Sequence, residues 1–506
     1  MEYLIGVDIG TTATKAIAFN REGVIISKKS VEYPIYHPKP TWSEQDPEEI
    51  FHAVLISIKD VVEENNAMGN KLEGISFSAA MHSLIAVDPE GKPLTNCIIW
   101  ADTRSEEYAK KMKESKVAHS IYLKTGTPIH PMSPLCKLLW MKENNSEIFN
   151  KAYKFISIKE YVFYKLFSIY IVDYSIASAT GLFDTYKLKW DDEALNLIGI
   201  SPDRLSIPVS TTHTVRGLKD GYAKFLNIPK STPFIIGASD GCLSNLGTNA
   251  VKPGVAAVTI GTSGAIRVIS NKLVSDPGER IFSYILTENH YVVGGPINNG
   301  GIVLRWFRDN FYPLEVENAK KENIDFYDIL TQKVDSIPVG ASGLIFLPYL
   351  LGERAPHWDA NARGVFFGVN ITHTREHFLR ALMEGVIFGI YSVGKVLEQI
   401  TGNIEKIYAT GGFVRSSLWV KILADVFNKK VLVAESYESS CLGAVVLGMK
   451  SLGLISSIED VEKMVPISQT IYPDKNHHYT YTRLFEIYER LYDQLKNEFI
   501  RIINLQ

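Results

Sequence analysis

The sequence predicts an α/β protein built from two copies of one fold, with a ligand cleft between the copies. Three observations carry that prediction. The pentapeptide Asp8-Ile9-Gly10-Thr11-Thr12 returns as Thr259-Ile260-Gly261-Thr262-Ser263, 251 residues later (259 minus 8), and each copy is followed by a second strand-like run. Such a period is far too long for a solenoid and indicates a duplicated domain. The 506 residues also exceed what one hydrophobic core serves, at roughly 150 residues per domain. Between the copies, Asn249-Ala250-Val251-Lys252-Pro253-Gly254 supplies turn chemistry, which sets the expected domains at 1–248 and 249–506. A cleft between two such halves is the natural ligand site.

The elements follow in order. Tyr3 to Ile9 is an apolar run of β-formers, Gly10-Thr11-Thr12 a turn and Ala13 to Phe19 a second run; Arg21-Glu22-Gly23 then turns the chain into a third, Val24 to Ser27. This reads as a three-strand meander. Asp46-Pro47-Glu48-Glu49 combines an N-cap, a proline at the first helical position and a capping-box glutamate, with Ile50, Val54 and Ile58 along one face, and so predicts a helix. A strand over Gly74 to Ser78 follows, and the opening departs from strict β-α alternation. Farther on, the strand Phe234-Ile235-Ile236 leads into Gly237-Ala238-Ser239-Asp240-Gly241. The strand Lys406 to Ala409 leads through Thr410-Gly411-Gly412 into a helix carrying Arg415, Ser416 and Trp419. From Thr482 to Leu505, the residues Leu484, Tyr488, Leu491, Leu495, Phe499 and Ile502 recur at three- and four-residue spacing, a terminal helix docked on its own domain.

Hydrophobic residues at 46%, charged residues at 22% and a formal charge of -3 show no bias toward nucleic acid and point to a small-molecule partner. Cys97, Cys136, Cys242 and Cys441 form no C-x-x-C pair, so reduced thiols are expected rather than a zinc cage or a disulfide framework. Met1-Glu2-Tyr3 runs directly into a strand without a basic leader, and no apolar stretch approaches the roughly 18 residues of a membrane span. A cytoplasmic protein with no membrane partner is the expectation.

A tight Gly-Thr-Thr turn between strands gathers backbone N–H groups and hydroxyls, a set that suits phosphate oxygens, and its glycine permits an approach that a Cβ would block. One such turn is usually only a hairpin. Two, one per copy, point to a polyphosphate gripped from both sides. Lys15 adds a cation, and Asp8 at the strand end can hold Mg²⁺ directly or through water; a carboxylate satisfying loop amides is the alternative. Thr410-Gly411-Gly412 lets a flat adenine or ribose lie against backbone, although a plain packing turn would read the same way. Asp240 at a strand mouth can take a proton from an alcohol, and phosphoryl transfer asks for positioning, charge neutralisation and one base. An N-capping aspartate is the competing account.

In order along nearly the whole chain, these motifs resemble the FGGY family of carbohydrate kinases, members of the actin-like ATPase (ribonuclease H-like) superfamily. Asp8 to Lys15 resembles the first phosphate motif, and Met81-His82 and Trp100-Ala101-Asp102-Thr103-Arg104 resemble sugar-site motifs. Met132 to Trp140 and Gly364 to Glu384 resemble two family signatures, Gly237 to Gly241 the catalytic segment, Gly261-Thr262-Ser263 the second phosphate motif and Thr410-Gly411-Gly412 the adenosine motif. The resemblance implies ATP and Mg²⁺, with Asp240 as catalytic base and Asp8 organising the metal. It implies Thr11, Thr12, Lys15, Gly261 and Thr262 at the phosphates, and Gly301, Arg305, Gly411, Gly412 and Ser416 along the nucleotide. Met81, His82, Asp102, Arg104, Met132 and Asp240 are the implied substrate contacts. Some relatives place an amide residue after the base to hold a substrate hydroxyl; Gly241 cannot supply that contact. Relatives are commonly dimers, which leaves a homodimer open.

Within the family, the wording of Thr125 to Pro134, Trp100 to Arg104 and Gly352 to Trp358 resembles the members that act on gluconate, which implies transfer to the 6-hydroxyl of D-gluconate. A sugar-acid carboxylate needs charge-assisted donors, and His82, Arg104, His130 and Lys137 are the candidates, a structural role being the leading reading for Lys137. Kinases of xylulose, glycerol and ribulose share the scaffold. An acceptor-free actin-like ATPase and a catalytically silent sugar-binding regulator are the rivals from other classes.

Overall fold

The computed structural model describes residues 1–322, 333–435 and 438–505. The chain divides into two compact units: Met1–Val251 with Ser270–Val292 and Glu438–Val465, and Lys252–Ile269 with Val293–Tyr437 and Pro466–Gln506.

The first unit opens with strands β1 (Glu2–Ile9), β2 (Ala13–Asn20) and β3 (Ile25–Glu32), the expected meander with its third strand running farther than predicted. Helix α1 (Pro47–Ala67) starts where the Asp46 carboxylate accepts from the Glu48 N–H and Pro47 takes the first turn. The predicted capping box does not close, because the Glu49 carboxylate takes the Tyr36 hydroxyl at 2.9 Å instead of turning back to the cap. One face of α1 buries Ile50, Phe51, Val54, Ile58 and Val61, each worth about 1.5–3 kcal/mol when fully withdrawn from water. After it comes β4 (Lys71–Ala79), parallel to β1. Helix α2 (Pro134–Asn144) begins at the Ser133 cap.

Strand β5 (Phe234–Ser239) lies parallel to β4, and helix α3 (Asp240–Gly247) leaves it without a loop. The sheet order is Thr214–Val215, β5, β4, β1, β2, β3. Its core gathers Tyr3, Val7, Ile75, Phe77, Phe163 and Phe234. Residues from 84 to 205 build a second cluster around Leu135, Leu138, Phe155 and Phe183. The helix Ser439–Ser451 returns to this unit and meets α3 almost backbone to backbone: a Cβ at Gly443 would lie 2.1 Å from the Leu243 carbonyl oxygen, so only glycine permits the approach.

The second unit repeats the opening. Strands β6 (Val255–Ile260) and β7 (Gly264–Ser270) form an antiparallel hairpin, helix α4 spans Gly301–Phe311, and β8 (Lys406–Thr410) lies parallel to β6. Helix α5 (Ser417–Phe427) leads to β9 (Lys430–Ala434), parallel to β8, with β10 (Ile467–Ile471) antiparallel at the edge. The terminal helix α6 (Lys475–Ile503) buries Tyr481, Phe485, Tyr488, Leu491 and Phe499 within this unit; Ile502, placed on that face by its spacing, is exposed. All four cysteines are buried and none of them forms a disulfide. Among the described residues no helix is long and apolar enough to cross a membrane.

Candidate active site

Three adjacent parallel strands of the first unit deliver its chemistry to one edge. β1 ends at Asp8 and Ile9, β4 runs into Ala80-Met81-His82, and β5 ends one residue before Asp240. The carboxyl ends of parallel strands are where α/β sheets bind ligands, since loops there leave the sheet with backbone groups unpaired. Asp8 sits opposite both Lys15 on β2 and Ser78 on β4. The Ser78 hydroxyl donates to its Oδ1 at 2.6 Å. Burial raises the Asp8 carboxyl above its ordinary value, against the Ser78 hydrogen bond and the Lys15 charge.

The first glycine turn is closed by the Gly10 N–H donating to Ala13 O at 3.0 Å and by the Tyr33 hydroxyl donating to Gly10 O at 2.7 Å. Thr11 is pinned as well: its hydroxyl accepts from the Trp100 indole at 2.9 Å and its carbonyl from the Gln45 amide at 2.7 Å. Thr12 is exposed. Lys15 donates to Glu438 at 3.0 Å; burial pulls its ammonium down, but the Glu438 hydrogen bond and charge outweigh that and hold it above its ordinary value. Nothing in the sequence connects these two residues, which stand 423 positions apart.

Asp240 is the first residue of α3, whose cap is Ser239, so the N-cap account of this aspartate does not apply. Its Oδ1 accepts the Gly241 N–H at 2.7 Å, which fixes the plane of the carboxylate. A buried ion pair that sequence reasoning missed supports the strand beneath it. Lys159 pairs with Asp173 at 2.7 Å and donates to the Ile236 and Ala238 carbonyls at 3.1 and 2.9 Å. Lys159 begins a buried helix face and Asp173 caps the helix after it, so each looks locally like a packing or capping residue.

The other sugar-motif residues divide. His82 adopts φ 71° and its Nδ1 donates to the Ala179 carbonyl at 2.8 Å. Met132 is buried in the turn before α2. Asp102 and Arg104 are turned inward. The Arg104 Nε donates to Asp102 Oδ1 at 2.8 Å, and its Nη2 to Asp102 Oδ2 at 2.7 Å and to Glu44 at 2.6 Å, with the guanidinium 3.7 Å from the Trp42 ring centroid. Asp102 also accepts from the Ser43 N–H, and the two side chains are 0% and 3% exposed. Lys137 is fully buried and donates to the carbonyls of His82, Ile98 and Ile99 at 2.6, 3.2 and 2.8 Å. Burial brings it down to about 7 against the pull of Asp102.

In the second unit the same edge is built again with different chemistry. Its turn is one residue shorter: Ile260 pairs with Gly264, whereas Ile9 pairs with Thr14. The N-terminus of α4 closes onto it, with Gly301 N–H donating to Gly261 O at 2.7 Å and Ile302 N–H to Thr262 O at 3.1 Å. The Gly301 amide is therefore consumed inside the protein. Gly261 and Thr262 are exposed, and a side chain at Gly261 would meet nothing within 4 Å. Where the first copy has Lys15 opposite Asp8, this copy has Ala265 opposite Thr259, so the charges belong to the first unit alone. Beside the turn, β8 leads into Gly411, where a Cβ would lie 2.5 Å from Ile260 O, and then Gly412, which faces open space. The Ser416 hydroxyl caps α5 by accepting the Trp419 N–H at 3.2 Å, and Arg305 is exposed on α4.

Two α/β units of this topology, each with a glycine turn at a sheet edge and one with a carboxylate at a strand mouth, define a kinase of the actin-like ATPase fold. Residues 3–247 match the N-terminal domain, and residues 256–452 the C-terminal domain, of the FGGY family of carbohydrate kinases, and the chain belongs to that family. It is 49% identical over 505 residues to the gluconokinase of Bacillus licheniformis, covering 100% of this chain and 98% of that protein. Two crystal structures from Lactobacillus acidophilus, a gluconate kinase and a ligand-bound xylulose kinase, each superpose with TM-score 0.94 at 36% identity. Each alignment covers 99% of this chain, with 99% and 100% of the respective structures.

Proposed function

We propose that this protein transfers the γ-phosphoryl group of ATP to the 6-hydroxyl of D-gluconate, with Asp240 as general base. The observation that carries the reading is the convergence of Asp8, Met81-His82 and Asp240 on the ends of three neighbouring parallel strands. The full-length similarity to gluconokinase supports the choice of acceptor. Asp240, its carboxylate plane set by Gly241, draws the hydroxyl proton as the oxygen attacks phosphorus. In the first unit, Thr11, Thr12 and Lys15 are assigned to phosphate oxygens. In the second unit, the Gly261-Thr262 turn is likewise assigned to phosphate and Gly411, Gly412, Arg305 and Ser416 to the nucleoside, with Gly301 holding the turn.

Asp8 suits a Mg²⁺ that keeps most of its waters and is shared with phosphates. It offers one carboxylate, and the described residues contain no cluster of three or more ligand side chains that would build an all-protein cage. Such an ion would supply charge neutralisation on the transferred group. Met81, His82 and Met132 are assigned to the acceptor. Asp102 and Arg104 are assigned to holding the 99–104 loop, because both charges are neutralised within the protein.

A coupled ADP-release assay over gluconate, xylulose, ribulose and glycerol tests the reading. Gluconate should give the highest kcat/KM; a preference for xylulose would replace the acceptor, and ADP release independent of any acceptor would overturn the kinase. Gly261→Val should raise the KM for ATP by about tenfold or more with the fold intact, because the new side chain enters empty space where a phosphate is assigned. Unchanged ATP affinity in that variant would remove the second turn from the phosphate site.

A further inference from the structure

The glycine turn of the second unit is held by segments remote from it in sequence. Gly300 and Ile302 donate their N–H groups to Thr262 O at 3.2 and 3.1 Å, and Gly301 donates to Gly261 O at 2.7 Å. A trans peptide is planar, with its C=O and N–H pointing in opposite directions. These bonds therefore fix the Gly261-Thr262 and Thr262-Ser263 peptide planes and aim the Thr262 and Ser263 N–H groups away from the start of α4. The approach requires glycine on the donor side: a Cβ at Gly300 would lie 2.5 Å from Ser263 O, and one at Gly301 would lie 2.7 Å from Gly261 O.

The two residues before these glycines are clamped by residues 351–354. Glu353 Oε1 accepts the Asn298 N–H at 2.6 Å and the Arg354 N–H at 2.8 Å, and its Oε2 accepts from the Asn299 amide at 3.3 Å. Asn299 also donates to Gly352 O at 2.7 Å and accepts the Leu351 N–H at 3.1 Å, while the Asn298 amide donates to Leu351 O at 3.0 Å. The backbone of Glu353 is itself paired in both directions with Asp359, at 2.8 and 2.9 Å. Glu353 is 3% exposed, and burial raises its carboxyl to about 7 against the Asn298, Arg354 and Asn299 hydrogen bonds. Withdrawing a carboxylate from water is costly. A loop that needed only filling would be better served by an apolar side chain of that volume, so the acceptor oxygens are what the site requires.

We infer that Glu353 is a positioning residue for the nucleotide: it holds Asn298 and Asn299 so that the first amides of α4 set the Gly261-Thr262 turn in the orientation that takes a phosphate. This rests on the assignment of that turn to phosphate made above. Glu353 belongs to the 352–358 segment whose wording resembles the members that act on gluconate, yet it serves the nucleotide and not the acceptor.

Glu353→Met removes both acceptor oxygens at nearly constant volume. It should raise the ATP dissociation constant, read by calorimetry, about tenfold or more, the scale of a lost hydrogen bond to a charged group, with the KM for gluconate little changed. Glu353→Gln keeps a carbonyl oxygen for the Asn298 and Arg354 N–H groups and should recover most of the loss. In the wild type, a non-hydrolysable ATP analogue should slow amide hydrogen exchange over residues 298–302 and 351–354 together, since ordering the turn orders what holds it; that readout needs no variant to fold. A lower thermal midpoint in Glu353→Met with unchanged ATP affinity overturns the inference and leaves Glu353 a structural residue, as does protection of 298–302 without 351–354. Gly261→Val separates the two levels. Normal ATP binding in that variant would overturn the phosphate reading of the turn and the inference with it, whereas weakened binding there beside normal binding in Glu353→Met would overturn the role of Glu353 alone.

Discussion

Asp240→Ala should lower kcat by about 10²–10⁴-fold, the usual contribution of a positioned general base, while the KM for ATP and the thermal midpoint stay close to wild type. Stability is spared because Asp240 is only partly buried and Ser239, not Asp240, occupies the cap position of the helix it begins. What α3 loses is a first-turn acid at the positive end of its dipole, worth about 0.3–1 kcal/mol at such positions. ATP binding is spared because the residues assigned to phosphate and nucleoside lie on other loops. Asp240→Asn sharpens the test. The amide keeps the size of the side chain and an oxygen for the Gly241 N–H, yet cannot take a proton, so it should fall as far as alanine. Steady-state kinetics on purified variants decide the matter, and near-normal turnover in either one would remove Asp240 from the chemistry.

What was legible in the sequence is what short stretches of chain determine by themselves. The meander, the Asp46-Pro47 helix start and the terminal helix each follow from patterns a few residues long, and each is present. The duplicated glycine turns were legible for the same reason, including their place between paired strands. Contacts between distant segments were not. Glu438 neutralises Lys15, and Lys159 with Asp173 supports the strand that carries Asp240, but every one of these residues is locally an ordinary surface, helix-face or capping side chain. Asp102 and Arg104 illustrate the reverse. Their motif is conspicuous, yet the chemistry it offers is satisfied inside the protein by Ser43, Glu44 and Trp42, a segment some sixty residues earlier. A motif gives residue types; only the fold says whether a charge faces a partner or a ligand. Nothing in the sequence marks residues 270–292 and 438–465 as belonging with the first unit either, since a return of the chain is a property of packing and not of local pattern.

Gly237→Ala should be the most damaging small substitution near the site. Gly237 has φ +68°, and a Cβ built there would lie 1.7 Å from Phe77 O on β4. The register of β5 against β4 shifts between Ile235 and Ala238, so Gly237 sits in an irregularity that re-aims the last residues of the strand toward the site. Alanine must both adopt a left-handed backbone and displace the neighbouring strand. Left-handed geometry costs about 1–2 kcal/mol for a non-glycine residue and overpacking about 1–3 kcal/mol more, enough to lower the thermal midpoint clearly. The molecules that fold would carry Asp240 displaced, because only two residues separate it from the bulge. A shift of about 1 Å in a reacting group can cost 10²-fold in rate, so kcat should fall by about that much while the KM for ATP, set by other loops, changes little. Gly221→Ala is the control: it lies in the helix Asp220–Leu226 with nothing within 4 Å of the new methyl group, and should be neutral or slightly stabilising by helix propensity. Equal behaviour of the two variants in thermal melts and steady-state assays would mean that the β5 irregularity does not position the base.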